Sequence, residues 1–227
     1  MKSIGSYFKR FGTGTATMFK RLGYAFYILA HPFDGFFDLK NDPKRRTVSG
    51  SVFQLVMLAI SSIVKRQLTG YLFTESTGDQ LYLNVGLEVL KAVAPFLLFA
   101  LANWCFTSLM DGDGSLKDIF CATAFATLPM TICNFLLVPI SNFVTLEEEG
   151  IYLFIVGFSY VWCYGMVFLG MLVTHQYSVS KAIATAVLSI VGMLVIIFIA
   201  VLIFYLCQQV FGFVSSLYTE ISFRLNE

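Results

Sequence analysis

Charge is scarce in this 227-residue chain, and the scarcity is uneven. Asp, Glu, Lys and Arg make up 13% of it, against roughly 25% in an ordinary soluble domain. Five stretches hold none of them: Thr47–Val64, Ala92–Met110, Ile119–Val144, Ile151–Val173 and Ala182–Cys207. None of the five holds histidine either, which leaves a proton-coupled pump without a relay at membrane depth. Histidine occurs twice, as His31 and His175, neither with a second His or Cys at ligand spacing, so no metal site is expected. Cys105, Cys121, Cys133, Cys163 and Cys207 are odd in number and form no C-x-x-C pair. They read as thiols packed like small apolar residues, not as a disulfide or zinc framework. No G-x-S-x-G elbow, H-E-x-x-H pair, Walker loop or G-x-G-x-x-G turn is present. The chain is therefore expected to be no enzyme and to hold no cofactor. The first 46 residues are basic but interrupted by polar residues, unlike a cleavable signal peptide.

What the sequence has instead is apolar length: 57% hydrophobic residues and a mean hydropathy of +0.76. A helix needs about 20 mostly apolar residues to cross a hydrocarbon core of about 30 Å. The five stretches have that length, and their apolar residues run on without the alternation of a barrel strand. The expected fold is an all-α integral membrane protein with five transmembrane helices. Residues 1–46 form a basic N-terminal arm with an amphipathic helix, and 47–227 the five-span membrane domain. Nine of the fifteen Lys and Arg precede the first span, so the positive-inside rule places the N-terminus in the cytosol. Five crossings then put the C-terminus outside, with the acidic Glu147–Glu149 run in a solvated outer loop.

Within the arm, Met18, Phe19, Leu22, Phe26 and Leu29 recur at helical spacing, with Lys20 and Arg21 off that stripe. Such a helix suits either an anionic lipid surface or the bundle's own cytosolic face. Proline at 32 ends it at His31, and Phe33, Phe36 and Phe37 then crowd an aromatic turn around Asp34-Gly35. Span one holds Gln54, Ser61 and Ser62 and meets Lys65-Arg66 before Gly70–Phe73 restore apolar character, so its helix is expected to reach about Phe73. Lys65 and Arg66 either snorkel to the outer headgroups or pair with Glu88, which opens span two with Lys91 on the same face. These four make an outer charge cluster. Pro129, in the middle of span three, removes a helical hydrogen bond and is expected to kink it, with a pocket beside the kink or packing alone as the result.

The Asp111–Asp118 turn starts like a calcium loop, but Leu116 stands where glycine is required and Ala122 where a bidentate Glu is required. It reads instead as a tight turn, with Ser115 and Asp118 as a capping box for span three. Topology gathers three segments at the cytosolic face, and a candidate interaction face is drawn from His31, Phe33, Asp34, Phe36, Asn103, Trp104, Asp111, Asp113, His175 and Tyr177. Loops rich in specific polar and aromatic residues carry function more often than the scaffold beneath. Turns that merely satisfy one another would look the same.

These residues carry a resemblance. The arm, the five spans and the run NWCFTSLMDGDGSLKDIFCATAFATLP, a glycine-bearing turn before a span with a central proline, resemble the Yip (Ypt-interacting protein) membrane domain family. HPFDGFFDLK, VKRQLTGYLF, ISNFVTLEEE, VTHQYSVSKAI and YTEISFR are similar to the family's bacterial branch in Gram-positive organisms, over His31 to Arg224. The D-L-Y-G-P signature of the eukaryotic branch is missing, so Rab GTPase binding and ER–Golgi roles are not carried over. The resemblance implies a five-span protein of the bacterial cytoplasmic membrane without known catalysis. Bacterial members often lie near sugar ABC transporter genes. The leading expectation is a scaffold or accessory subunit that binds membrane lipids and another membrane protein, an ABC permease being one choice, and no nucleic acid. The alternative is a transporter or lipid-handling protein with a pocket beside Pro129.

Overall fold

The computed structural model describes residues 23–42, 48–70, 84–110 and 112–225, and all secondary structure among them is helical. A helical segment at 23–30 precedes α1 (Pro32–Asn41), α2 (Val48–Leu68), α3 (Val85–Leu109), α4 (Leu116–Ala126), α5 (Leu128–Phe143), α6 (Glu149–His175) and α7 (Val179–Leu225). Five helical stretches are long and apolar enough to span a membrane: α2, most of α3, α4 with α5, α6, and most of α7. The all-α multi-span reading of the sequence holds. The turns at 112–115 and 176–178 share one end of the bundle with the N-terminal segment, here called the arm end. Leu68, Val85, Phe143 and Glu149 mark the opposite, far end.

The termini follow local chemistry. The Asn84 side chain accepts from the Leu87 amide at 3.2 Å and starts α3. Ser115 and Asp118 form the expected reciprocal box at the start of α4. The third span is not one bent helix but two. The chain leaves helical hydrogen bonding at Thr127 (φ −78°, ψ −4°), and Pro129 falls in the first turn of α5. There its missing amide costs nothing, because the first amides of a helix have no partner within it. Thr127 and Thr131 turn their hydroxyls on to the carbonyls of Ala124 and Thr127.

The central element is α4, with Cys121, Ala122, Thr123, Ala124, Phe125 and Ala126 buried in succession. It packs against α2, α3, α6 and α1. Small side chains let neighbouring backbones approach, which is how membrane helices associate without a hydrophobic driving force. A polar seam joins α2 to α5: Gln54 donates to Thr131 at 3.2 Å, Asn134 to Ser61 and Ser62 at 3.3 and 3.4 Å, and the Gly70 amide to Ser141 at 3.0 Å. That last bond turns the chain against α5, and α2 ends at Leu68, short of the expected Phe73.

The arm departs from expectation in two ways. The aromatic turn is a helix, α1, because proline at its first position presets the helical φ. Gly35 serves packing instead of a turn: a Cβ there would lie 2.8 Å from the Ile28 backbone. The face of the 23–30 segment that is buried carries Ala25 and Ile28, while Phe26 of the predicted stripe is 49% exposed. Residues 15–22 lie outside the described residues. Ala25, Ile28, Phe36 and Leu39 enter one core with Ala122, Phe125, Cys163 and Val167, so the described arm is packed on the bundle and is no separate unit. Tyr24 fastens it further, donating to the Gly35 carbonyl at 2.7 Å and meeting Phe125 edge-on.

Phe36, only 1% exposed, lies on Gly170 and is the arm's main anchor. Phe36→Ala should lower unfolding stability in mild detergent by about 3 kcal/mol. Phe33→Ala, at a site 56% exposed, should change it by less than about 0.5 kcal/mol. Equal melting temperatures for both variants would mean that the arm contributes nothing to the core.

Candidate functional site

At the far end the helices diverge. α3 packs on α2, α4 and α7, and α6 on α1, α4, α5 and α7. α3 and α6 meet at the arm end, where Asn103 and His175 bond, and at the far end both line an open space. Between them lies a cavity of about 400 Å³. α2 contributes Ser62, Lys65 and Arg66 to its wall, α3 Glu88, Lys91 and Ala92, α5 Met130 and Asn134, and α6 Tyr152, Leu153, Val156 and Tyr160. The cavity therefore runs from the terminal turns of α2 and α3 down to the residue after Pro129. The structure brings together what the sequence suggested separately, an outer charge cluster and a pocket near the proline break.

Three cations and one carboxylate line this cavity. Lys91 Nζ lies 3.6 Å from Glu88 Oε1, with the Lys91 side chain 66% exposed and that of Glu88 17%. A pair with one partner so open to its surroundings contributes little. Glu88 also acts electrostatically on Lys65, so one carboxylate serves more than one cation. Tyr152 is hydrogen-bonded to the Thr69 side chain, and Asn134 is held by Ser61 and Ser62. Among the described residues no group of three His, Cys, Asp or Glu side chains could hold a metal ion. The chemistry on offer is recognition: two adjacent cations from α2, a third from α3, and an apolar floor.

The arm end holds a different arrangement. The Gly114 amide donates to His175 Nδ1 at 3.3 Å. With Nδ1 accepting, Nε2 carries the hydrogen and donates to Asn103 Oδ1 at 3.0 Å. Asn103 Nδ2 reaches Ser189 Oγ at 3.1 Å and Met171 Sδ at 3.0 Å, and Ser189 donates to the Thr185 carbonyl at 2.8 Å. Tyr177 stacks on His175 with centroids 5.1 Å apart, and Lys181 Nζ lies 4.4 Å above the tyrosine ring. A Cβ at Gly114 would lie 2.6 Å from the imidazole, which explains glycine at that step. The result is a knot that ties α3, α6, α7 and the 112–115 turn.

This placement corrects the candidate interaction face. Phe36, Asn103, His175 and Tyr177 are buried, and a side chain enclosed by its own fold offers no contact surface. His31, Phe33, Asp34, Trp104 and Asp113 remain exposed, and Asp111 lies outside the described residues.

A family profile described as the Yip1 domain matches residues 26–202. The chain belongs to the Yip1 family. No curated protein and no solved structure matches it. The matched Yip1 domain takes in α1 to α6, the cavity, the knot and the first part of α7, and it leaves the rest of α7 outside.

Sequence reasoning missed Tyr152, Tyr160 and Asn134 in the cavity and the whole α2–α5 seam. A signal existed in the spacing. Gln54 and Ser61 on α2, like Asn134 and Ser141 on α5, stand seven residues apart, two helical turns, so each pair lies on one face.

For the Yip1 domain the knot predicts that His175→Ala destabilises the fold by about 2–4 kcal/mol. Truncation strands the Gly114 amide and the Asn103 carbonyl, and each buried polar group left unpaired costs about 1–3 kcal/mol. The measurement is the unfolding midpoint in detergent beside Asp113→Asn, an exposed site expected to change nothing. A stable His175→Ala protein would return His175 to the candidate contact residues.

Proposed function

We propose that this Yip1-family protein acts without catalysis, as an accessory or scaffold subunit that binds another membrane protein through α7. The observation that supports this reading is the helix's length. Its 47 residues make a rod of about 70 Å, more than twice the roughly 30 Å of a hydrocarbon core. Only Ala182, Thr185, Ser189 and Gly192 of its membrane half are buried, so α7 leans on α3 along a single short stripe. Past Cys207 the helix continues with Val210, Phe213, Leu217 and Ile221 on one side, each exposed by 42–66%. Gln208, Gly212, Ser215 and Thr219 fall on the other side by helical period.

Inside lipid an uncovered apolar helix costs nothing, since acyl chains are as apolar as leucine. Beyond the hydrocarbon the same surface favours a partner. The occupant we assign is a helix of another membrane protein. Within that reading the resemblance brings forward a sugar ABC permease as the partner and the bacterial cytoplasmic membrane as the setting. The basic arm argues for an N-terminus in the cytosol and an α7 extension outside. A second reading, a lipid-handling or transport protein, is favoured by the cavity between α3 and α6.

Two experiments test this. A photo-crosslinking residue at Leu217 should capture one membrane protein in cells, and the same residue at Ser215, on the opposite side, should not. Deletion after Gln208 should abolish co-purification of that protein, with yield and melting temperature unchanged. A product containing only a second copy of this chain, or only lipid, would overturn the reading. For orientation, in a variant lacking native cysteines, a cysteine at Glu148 should react with an impermeant reagent and one at Asp113 should not. The reverse pattern inverts the topology.

A further inference from the structure

We infer that the far-end cavity is a seat for the phosphate of an anionic phospholipid, entered sideways from the membrane between α3 and α6. The inference rests on the second reading above, and it names the ligand class. Of the cations after Val48, Lys117 and Lys181 belong to the arm end and Arg224 to the α7 extension. The remaining three, Lys65, Arg66 and Lys91, all line this one cavity. Cations are disfavoured at membrane depth and mark sites when they are retained together. Two neighbouring cations, one of them a guanidinium with a fork of donors, match a phosphate's oxygens.

Depth separates a lipid from a free anion. Lys65 and Arg66 sit in the last turn of α2 and Lys91 in the second turn of α3, within two turns of the helix ends, and the cavity continues inward past Met130 and Val156 toward the break in the third span. A polar mouth over an apolar floor is the profile of an amphiphile. The α6 side is open, with Leu153 56% and Tyr160 40% exposed, so acyl chains can remain in the bilayer while the headgroup enters. About 400 Å³ lies within the range of small-molecule sites. It suits a headgroup and the first part of the tails. Basic pockets between membrane helices bind anionic headgroups by this logic. Glu88 has a role in the empty site, balancing Lys91 and Lys65, and it opposes an incoming anion. Its removal therefore carries a sign that unspecific lipid adhesion does not.

The full chain, purified in mild detergent, is titrated with phosphatidylglycerol, phosphatidylcholine and glycerol 3-phosphate, with native mass spectrometry and melting temperature as readouts. One phosphatidylglycerol should bind per chain and raise the melting temperature, with phosphatidylcholine weaker by about fivefold or more. Arg66→Gln and Lys91→Gln should each weaken phosphatidylglycerol by about fivefold, whereas Glu88→Gln should tighten it while lowering the melting temperature of the lipid-free protein. Lys91 is largely exposed, so its variant folds even if Arg66→Gln does not. Equal binding of the two lipids, or unchanged binding by folded Lys91→Gln, overturns the site. An equal shift from glycerol 3-phosphate alone overturns the lipid as its source and leaves a soluble phosphate ester. Transfer of fluorescent phosphatidylglycerol between vesicles is read separately. Binding without transfer removes the lipid-handling reading and keeps the site, and transfer without stoichiometric binding does the opposite.

Discussion

Within hydrocarbon, apolar helices gain nothing by leaving lipid for one another, so a bundle holds only where backbones approach closely or polar groups pair. The structure meets that constraint through α4. Its run of Cys121, Ala122, Thr123, Ala124 and Ala126 presents little more than backbone to its neighbours. α2, α3, α6 and the arm all reach it. Replace this surface with leucines and no other pair of helices is central enough to organise the rest. The break at Thr127 follows from the same role. A central element that must fit several neighbours along its length is better built of two straight pieces than of one.

Polar contacts supply register rather than bulk stability. Hydrogen bonds between membrane helices are worth about 0.6 kcal/mol on average, so the α2–α5 seam and the His175 knot add only a few kcal/mol each. Their geometry is less forgiving than their energy suggests. Among the described residues no buried side-chain nitrogen or oxygen lacks a partner, and a one-residue slide of α5 along α2 would undo every bond in the seam. The two ends of the molecule thus differ in kind. At the arm end polar groups are enclosed and satisfied by one another, which fixes a shape. At the far end charges face an open space, and α3 and α6 stand apart.

Much of this was legible in the sequence. The spans were, because an uncharged run of bilayer length admits few other structures, and so was the capping box of Ser115 and Asp118. The cluster of Lys65, Arg66, Glu88 and Lys91 could be named from charge at membrane depth alone. Its partners could not, since Tyr152 and Tyr160 look like any aromatic residue of an apolar helix until α6 is placed beside α5. The arm-end residues misled for a definite reason. His175 and Asn103 are polar residues next to short turns, and that description fits a contact surface as well as it fits a knot; only burial separates the two. In the sequence the Asp34-Gly35 step among three phenylalanines looks like a turn, whereas in the fold Gly35 lies inside α1 and serves close approach to Ile28.

The docking of the arm sets an order of assembly. Residues 23–41 leave the ribosome before any span, yet the surfaces that receive them, Ala122 and Phe125 on α4 and Cys163 and Gly170 on α6, are made only after the second and third loops. Until then Ile28 and Phe36 have no protein partner. The nascent arm must wait on the membrane surface or in the care of a chaperone, and its arrival closes the bundle. Contacts so distant in sequence form late. A segment translated before every span is therefore among the last to be folded, and a chain that stalls before its fourth span leaves Ile28 and Phe36 without the core that receives them.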